Sequence, residues 1–213
     1  MSRLSHHTTP PRHLEAILSE HAALGRDRVV EPWIGGLVRA LAASKPGGAF
    51  LHAGGAELAA WLMDGMDITT RLVTIPGDPA QREVTTRHLG DDIRLAVHSQ
   101  DPLDFLRDVA RHRFHFIAFD EAPGDIALLE AAAGLLAPGA LLLINALPAG
   151  DAAAAPVAAF LHGQPGLHVG WLPHSTGAVL AVRSPERAGP RRGRRRGARE
   201  PARARRTAEV GSG

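Results

Sequence analysis

Short apolar runs alternate with amphipathic segments along most of this chain. Five apolar runs have the length of buried strands, at 49–51, 71–75, 93–98, 114–119 and 140–144. Segments with apolar residues at helical spacing follow them, at 56–66, 80–88, 101–112, 126–136 and 152–161. Two more runs, 167–172 and 178–182, are separated by a loop that suits a hairpin. Helical patterns at 13–24 and 32–43 precede the first strand.

This order of elements predicts the fold. Strands that alternate with helices of about a dozen residues form a parallel sheet with helices on both faces. Right-handed connections and the terminal hairpin predict a Rossmann-like, doubly wound α/β fold of seven strands in the order 3-2-1-4-5-7-6, with only 178–182 antiparallel. The domain spans 13–183, and we expect disorder in 1–12 and in 184–213.

Glycine and polar residues collect directly after the predicted strands. They are Gly54-Gly55, Asp78, Asp101, Asp120 and Asn145. In an open α/β sheet, ligands bind at the carboxyl ends of the strands. Asp78 and Asp101 each precede a proline, which is also the pattern of a helix N-cap followed by Pro at the first helical position. Both interpretations of these two aspartates remain open.

Charge and composition narrow the classes of protein. The chain has no cysteine, which excludes disulfides and thiolate metal sites. No stretch reaches the roughly 18 apolar residues of a membrane span, so we expect a cytoplasmic protein without a membrane partner. The net charge of +2 combines an Arg-rich tail at 184–213 with a mildly acidic domain. The tail has no aromatic residues for base stacking, so a solvated extension is favoured over a weak nucleic-acid-binding arm.

From about Val30 to Arg183 the sequence resembles class I S-adenosylmethionine-dependent methyltransferases, and in particular bacterial O-methyltransferases related to catechol O-methyltransferase. The segments that carry the resemblance are RLVTIPGDPA, FHFIAFDEAPGDIALLEAAAGLLAPGALLLINAL and WLPHSTGAVLAVR. The resemblance implies S-adenosylmethionine as cofactor, a small-molecule acceptor and, as in many relatives, a homodimer through the N-terminal helices, which Trp33 and Ile34 would suit.

The resemblance also implies roles for individual residues. Asp120 falls at the strand-end aspartate of the family, and it is expected with Asn145 beside the transferred methyl group. The residues expected to bind the cofactor are His52, Gly54, Gly55, Asp78, Gln100, Asp101 and Asp120.

Three positions depart from the family pattern. His52 stands at an acidic position before the glycine loop, and Pro76 replaces the carboxylate that binds the ribose hydroxyls. Ile144 replaces the second aspartate of metal-dependent members. One carboxylate and one amide make a poor Mg²⁺ site, so no metal is expected. Two functions remain open: O-methyl transfer to a small-molecule hydroxyl, or a catalytically degenerate relative that acts as a binding or structural module.

Overall fold

The computed structural model describes residues 9–27, 30–120, 125–147, 151–172 and 177–185. Within these ranges the chain forms one seven-stranded sheet with strand order β3-β2-β1-β4-β5-β7-β6. The strands are β1 Ala49–Ala53, β2 Arg71–Ile75, β3 Leu95–Val97, β4 Phe114–Phe119, β5 Leu136–Ile144, β6 Leu167–Leu172 and β7 Ala178–Arg183. Only β7 runs against the others, since it pairs antiparallel with both β5 and β6. The predicted fold class and strand order are confirmed.

Seven helices are formed in the described part of the chain. They are α1 Leu14–Ala23, α2 Pro32–Ala43, α3 Ala56–Gly65, α4 Pro79–Leu89, α5 Pro102–Asp108, α6 Ile126–Gly134 and α7 Asp151–Gly163. None of them is long and apolar enough to cross a bilayer.

Strand side chains alternate between two apolar cores, one on each face of the sheet. Phe50 and Phe116 point into the core formed with α1 to α4, and their rings meet edge to face at 5.6 Å between centroids. Their neighbours Leu51 and Ile117 point into the core formed with α5 to α7. Because both faces of the central strands are covered, these strands are almost continuously apolar.

Two glycines allow α2 and α3 to pack closely. A Cβ atom on Gly35 would lie 2.2 Å from the Trp61 ring, and one on Gly65 would lie 2.2 Å from the Arg39 carbonyl oxygen. Trp61 is buried below this contact, and the Arg39 guanidinium lies over its ring at 5.5 Å. The helix pair packs on the face of the sheet into which Phe50 and Phe116 point.

Several boundaries differ from the sequence prediction. β5 begins at Leu136 rather than 140, because Leu136 pairs with Phe114 before an irregularity in the register. Helix α6 therefore ends at Gly134, two residues early. The last turn predicted for α5 is instead a turn in which the His112 amide donates to the Val109 carbonyl.

Strand β3 is also shorter than predicted, since Ile93 is 80% exposed and lies outside it. The preceding turn is held by Arg94, which binds the Asp92 carboxylate through its guanidinium. This contact holds the pKa of Asp92 below its usual value, opposed by partial burial.

The N-terminal helices contain Trp33 and Ile34, the two residues that the sequence suggested for a dimer contact. Ile34 is 3% exposed and belongs to the core, and the Trp33 indole donates a hydrogen bond to Glu31. Ile34 is therefore not available to a partner subunit. Residues 1–8 and 186–213 lie outside the described part of the chain, so the disorder of both ends stays a prediction, although the Thr9 carbonyl accepts a hydrogen bond from Arg39.

Candidate active site

The ends of β1, β2, β4 and β5 lie level with one another at one edge of the sheet. The Gly54 amide donates to the Ile75 carbonyl, the Asp120 amide to the Ala53 carbonyl, and the Asn145 amide to the Phe119 carbonyl. These three bonds align the residues that follow each strand. The carboxyl edge that the sequence indicated therefore contains Gly54, Gly55, Asp120 and the buried Asn145.

The Asp120 side chain lies directly on the glycine loop. Its Oδ2 accepts a hydrogen bond of 2.6 Å from the Gly55 amide, at the N-terminus of α3. A Cβ atom on Gly54 would come within 2.2 Å of the Asp120 carboxylate carbon. Glycine is therefore required at position 54 by close approach of a side chain belonging to the same molecule.

His52 supplies the second contact of Asp120. Its Nε2 lies 2.8 Å from Asp120 Oδ1, and its Nδ1 lies 2.9 Å from Thr74 Oγ1. His52 and Thr74 are fully buried and are register partners on β1 and β2. When the Thr74 hydroxyl donates to Nδ1, the Nε2–H group donates to the carboxylate. Each side-chain polar atom in this series of hydrogen bonds then has a partner. We call His52, Thr74, Asp120 and the Gly55 amide the loop clasp.

Asp78 already has partners on both carboxylate oxygens. Oδ1 accepts from the Gln81 amide at 2.9 Å, which makes Asp78 the N-cap of α4. Oδ2 accepts from Arg26 at 2.6 Å. The backbone hydrogen bond from Gln81 is the main cause that lowers the pKa of Asp78. Burial opposes it, and the Arg26 guanidinium adds to the lowering. The capping interpretation thus describes the observed contacts, and a ribose contact stays a prediction.

Gln81 is a polar residue at this edge that sequence reasoning missed. Its carboxamide oxygen lies 3.4 Å from the position of a Cβ on Gly55 and 3.9 Å from that of a Cβ on Gly77. The side chain therefore lies between the loops that follow β1 and β2. Its position inside α4, one turn from Asp78, gave no signal in the sequence.

The two candidates after β3 have contacts of a different kind. Asp101 is exposed and caps α5 by accepting from the Leu103 and Asp104 amides at 2.8 and 3.2 Å. Gln100 donates to Asp108 at 3.0 Å on the exposed surface. Neither hydrogen-bonds the loop clasp, and their assignment to the cofactor stays a prediction.

His21 is a second residue that sequence reasoning missed. It is 4% exposed, and neither ring nitrogen has a hydrogen-bond partner among the described residues. Burial first, and then the charge of Arg26, lower the pKa of His21, with Asp120 and Glu20 opposing and His88 adding to the effect. Spacing could have found it, because positions 14, 17 and 21 share the buried face of α1.

The oxygen and nitrogen donors at this edge bear on the question of a metal site. No group of three His, Asp or Glu side chains that could hold a metal ion occurs in the described ranges. Ile144, which stands at the family's second aspartate, is fully buried in the apolar core. Asp120 is thus the one carboxylate of the expected pair, and it belongs to the loop clasp.

A sheet of this order with a glycine loop and an aspartate at its carboxyl edge defines the class I methyltransferase fold. No protein-family model matches the sequence, and no curated protein matches it either.

Solved structures do match. An O-methyltransferase from Bacillus cereus, solved with S-adenosylhomocysteine, is 20% identical with a TM-score of 0.69, over 80% of this chain and 90% of that one. TomG from Streptomyces achromogenes, an O-methyltransferase of tomaymycin synthesis solved with S-adenosylmethionine, is 21% identical with a TM-score of 0.72, over 84% and 93%. A methyltransferase from Geobacter sulfurreducens is 21% identical with a TM-score of 0.64, over 83% and 90%. These likenesses establish the fold and confirm the fold that the resemblance implied.

Proposed function

We propose that this protein is an S-adenosylmethionine-dependent O-methyltransferase that acts on the hydroxyl group of a small molecule. The observation that carries the proposal is the Asp120 carboxylate held at the glycine loop by His52 and the Gly55 amide. The solved structures with this fold that contain S-adenosylmethionine or S-adenosylhomocysteine support the choice of cofactor.

We assign the cofactor to the residues at this edge of the sheet. The glycine loop has no side chains of its own at Gly54 and Gly55, and the Asp120 carboxylate lies against both residues. The Gln81 carboxamide lies between the loops that follow β1 and β2. We propose that it hydrogen-bonds the ribose hydroxyls, because the Pro76 side chain has no polar group that could do so. Asp120 and Asn145 lie on the side of β4 and β5, and they face the acceptor.

The cofactor supplies an activated methyl group, so the protein has mainly to align the two reactants. The loop clasp holds the β1 loop in one position, and the short hydrogen bond from the Gly55 amide to Asp120 fixes the start of α3. Asn145, which is 3% exposed, follows β5 next to Asp120 and is the second residue that we assign to the acceptor side of the site. We also propose a cytoplasmic location and leave a homodimer as a prediction in which Ile34 takes no part.

Calorimetric titration with S-adenosylhomocysteine is the first test, and we expect submillimolar binding. Transfer of a labelled methyl group to catechols, phenols and aliphatic alcohols then identifies the acceptor class. A flat titration would refute the cofactor assignment and favour a degenerate binding module. Cofactor binding without transfer to any hydroxyl, but with transfer to amines or thiols, would refute the O-methyl assignment alone.

A further inference from the structure

The Asp120 carboxylate takes the place at the N-terminus of α3 where an anionic ligand group would otherwise bind. Helix N-termini attract anions, because their first amide groups have no partner within the helix. Here the Gly55 amide already donates to Asp120 at 2.6 Å. A ligand that reaches the loop therefore meets a carboxylate as well as amide groups.

Asp120 has two hydrogen-bond partners, and neither is a guanidinium or an ammonium group. One is a neutral backbone amide, and the other is the His52 ring, whose second nitrogen lies 2.9 Å from Thr74. The ring is fully buried, so one buried side chain and one backbone amide hold the Asp120 carboxylate at the glycine loop.

Asp78, on the neighbouring strand end, is in a different situation. Its carboxylate is paired with the Arg26 guanidinium at 2.6 Å, so its charge is neutralised by a cation. The side chain of Asp120 is 13% exposed, and its contacts to His52 and Gly55 come from the β1 side. Of these two strand-end carboxylates, Asp120 is therefore the one without a guanidinium partner.

We infer that Asp120 recognises the positive sulfonium of the methyl donor, so that this site distinguishes S-adenosylmethionine from S-adenosylhomocysteine by charge. The inference rests on the proposed function. The donor and the demethylated product differ by one positive charge and one methyl group. A carboxylate beside that charge stabilises the donor complex and does much less for the neutral product.

Binding of both ligands to wild type, Asp120→Asn and Glu130→Gln tests this. Asp120→Asn keeps the shape and removes the charge, whereas Glu130→Gln removes a charge on the exposed face of α6. We expect Asp120→Asn to weaken S-adenosylmethionine about tenfold more than S-adenosylhomocysteine, which corresponds to about 1.4 kcal/mol. Glu130→Gln should leave the ratio of the two dissociation constants within about twofold.

The outcomes separate the inference from the function on which it rests. Equal weakening of both ligands by Asp120→Asn would overturn the inference and leave the proposed function standing, because Asp120 would then act only on the shape of the loop. Failure of wild type to bind either ligand would overturn both.

A second measurement needs no variant and stays decisive if Asp120→Asn does not fold. An analogue with an amine nitrogen in place of the sulfonium sulfur is cationic at low pH and neutral at high pH. Wild type should bind its cationic form about fivefold more tightly, with S-adenosylhomocysteine measured in parallel to correct for other effects of pH. Equal binding of the two forms would overturn the inference.

Discussion

Replacing His52 with Phe tests whether the loop clasp stabilises the fold. The change keeps an aromatic ring at a fully buried position and removes both ring nitrogens. The Thr74 hydroxyl, which is also fully buried, then loses its partner at 2.9 Å, and Asp120 Oδ1 loses its partner at 2.8 Å.

The size of the effect follows from these two losses. A buried hydroxyl left without a partner costs about 1–3 kcal/mol. Asp120 keeps its Gly55 bond and is 13% exposed, so water can replace part of what it loses. We therefore expect His52→Phe to lower the free energy of unfolding by about 2–4 kcal/mol, including a small contribution from the larger ring.

Urea denaturation followed by tryptophan fluorescence and circular dichroism measures this loss, with the exposed His112→Phe as control. A double variant with Thr74→Val sharpens the test. Replacing both partners of a hydrogen bond by apolar groups of similar shape costs less than the two single losses together, so we expect a coupling of about 1 kcal/mol or more. A loss below about 1 kcal/mol, or strictly additive single losses, would refute the role of the clasp.

Three further predictions concern other parts of the fold. Gly35→Ala should destabilise by about 1–2 kcal/mol, since overpacking against Trp61 exceeds the gain in helix propensity, whereas Gly134→Ala, which meets nothing within 4 Å, should be neutral or slightly stabilising in the same denaturation assay. Gln81→Ala should weaken S-adenosylhomocysteine by about fivefold in calorimetry at unchanged melting temperature; unchanged affinity would remove it from the site. The lowered pKa of His21 means that the unfolded state takes up a proton that the folded state does not, so stability should fall as pH drops below 6.5, and His21→Leu should flatten that slope between pH 7 and about 5.

The sequence was sufficient for the strand order, because alternation of apolar and amphipathic segments is a local signal that each strand and helix carries separately. It was not sufficient for the ends of elements that depend on pairing. Leu136 has the apolar character of a helix residue, and only its partner Phe114 on β4 assigns it to a strand. Ile93 is apolar but exposed, and no partner strand reaches it.

The candidate site was predictable only as a location. The strand ends indicated which loops share an edge, but contacts between them depend on register, which a single sequence does not provide. His52 and Thr74 are partners because β1 and β2 pair residue for residue. Asp120 reaches His52 because it directly follows Phe119, the last β4 residue, which pairs with Ala53. Side chains that arrive from helices, such as Gln81 and His21, have no signal at the strand ends.

The departures at His52 and Ile144 are linked by charge, and their linkage gives a prediction about metals. A divalent cation bound by oxygen ligands neutralises the negative charge of several carboxylates at once. Ile144 stands in place of an acid, and Asp120 is held by the His52 ring and the Gly55 amide. A carboxylate at position 52 would lie against Asp120 with like charge. Millimolar Mg²⁺ should therefore leave the melting temperature of the wild type within about 1 °C of that in EDTA.

The variant His52→Glu provides the matched comparison. It places a second carboxylate beside Asp120, so it should be destabilised in EDTA by repulsion and by loss of the imidazole donor, and Mg²⁺ should restore part of that loss by binding between the two carboxylates. A rise of several degrees for wild type in Mg²⁺ that disappears in Asp120→Asn would contradict this reasoning. It would mean that Asp120 leaves His52 to coordinate a cation, and that the loop clasp is not the state in which this site works.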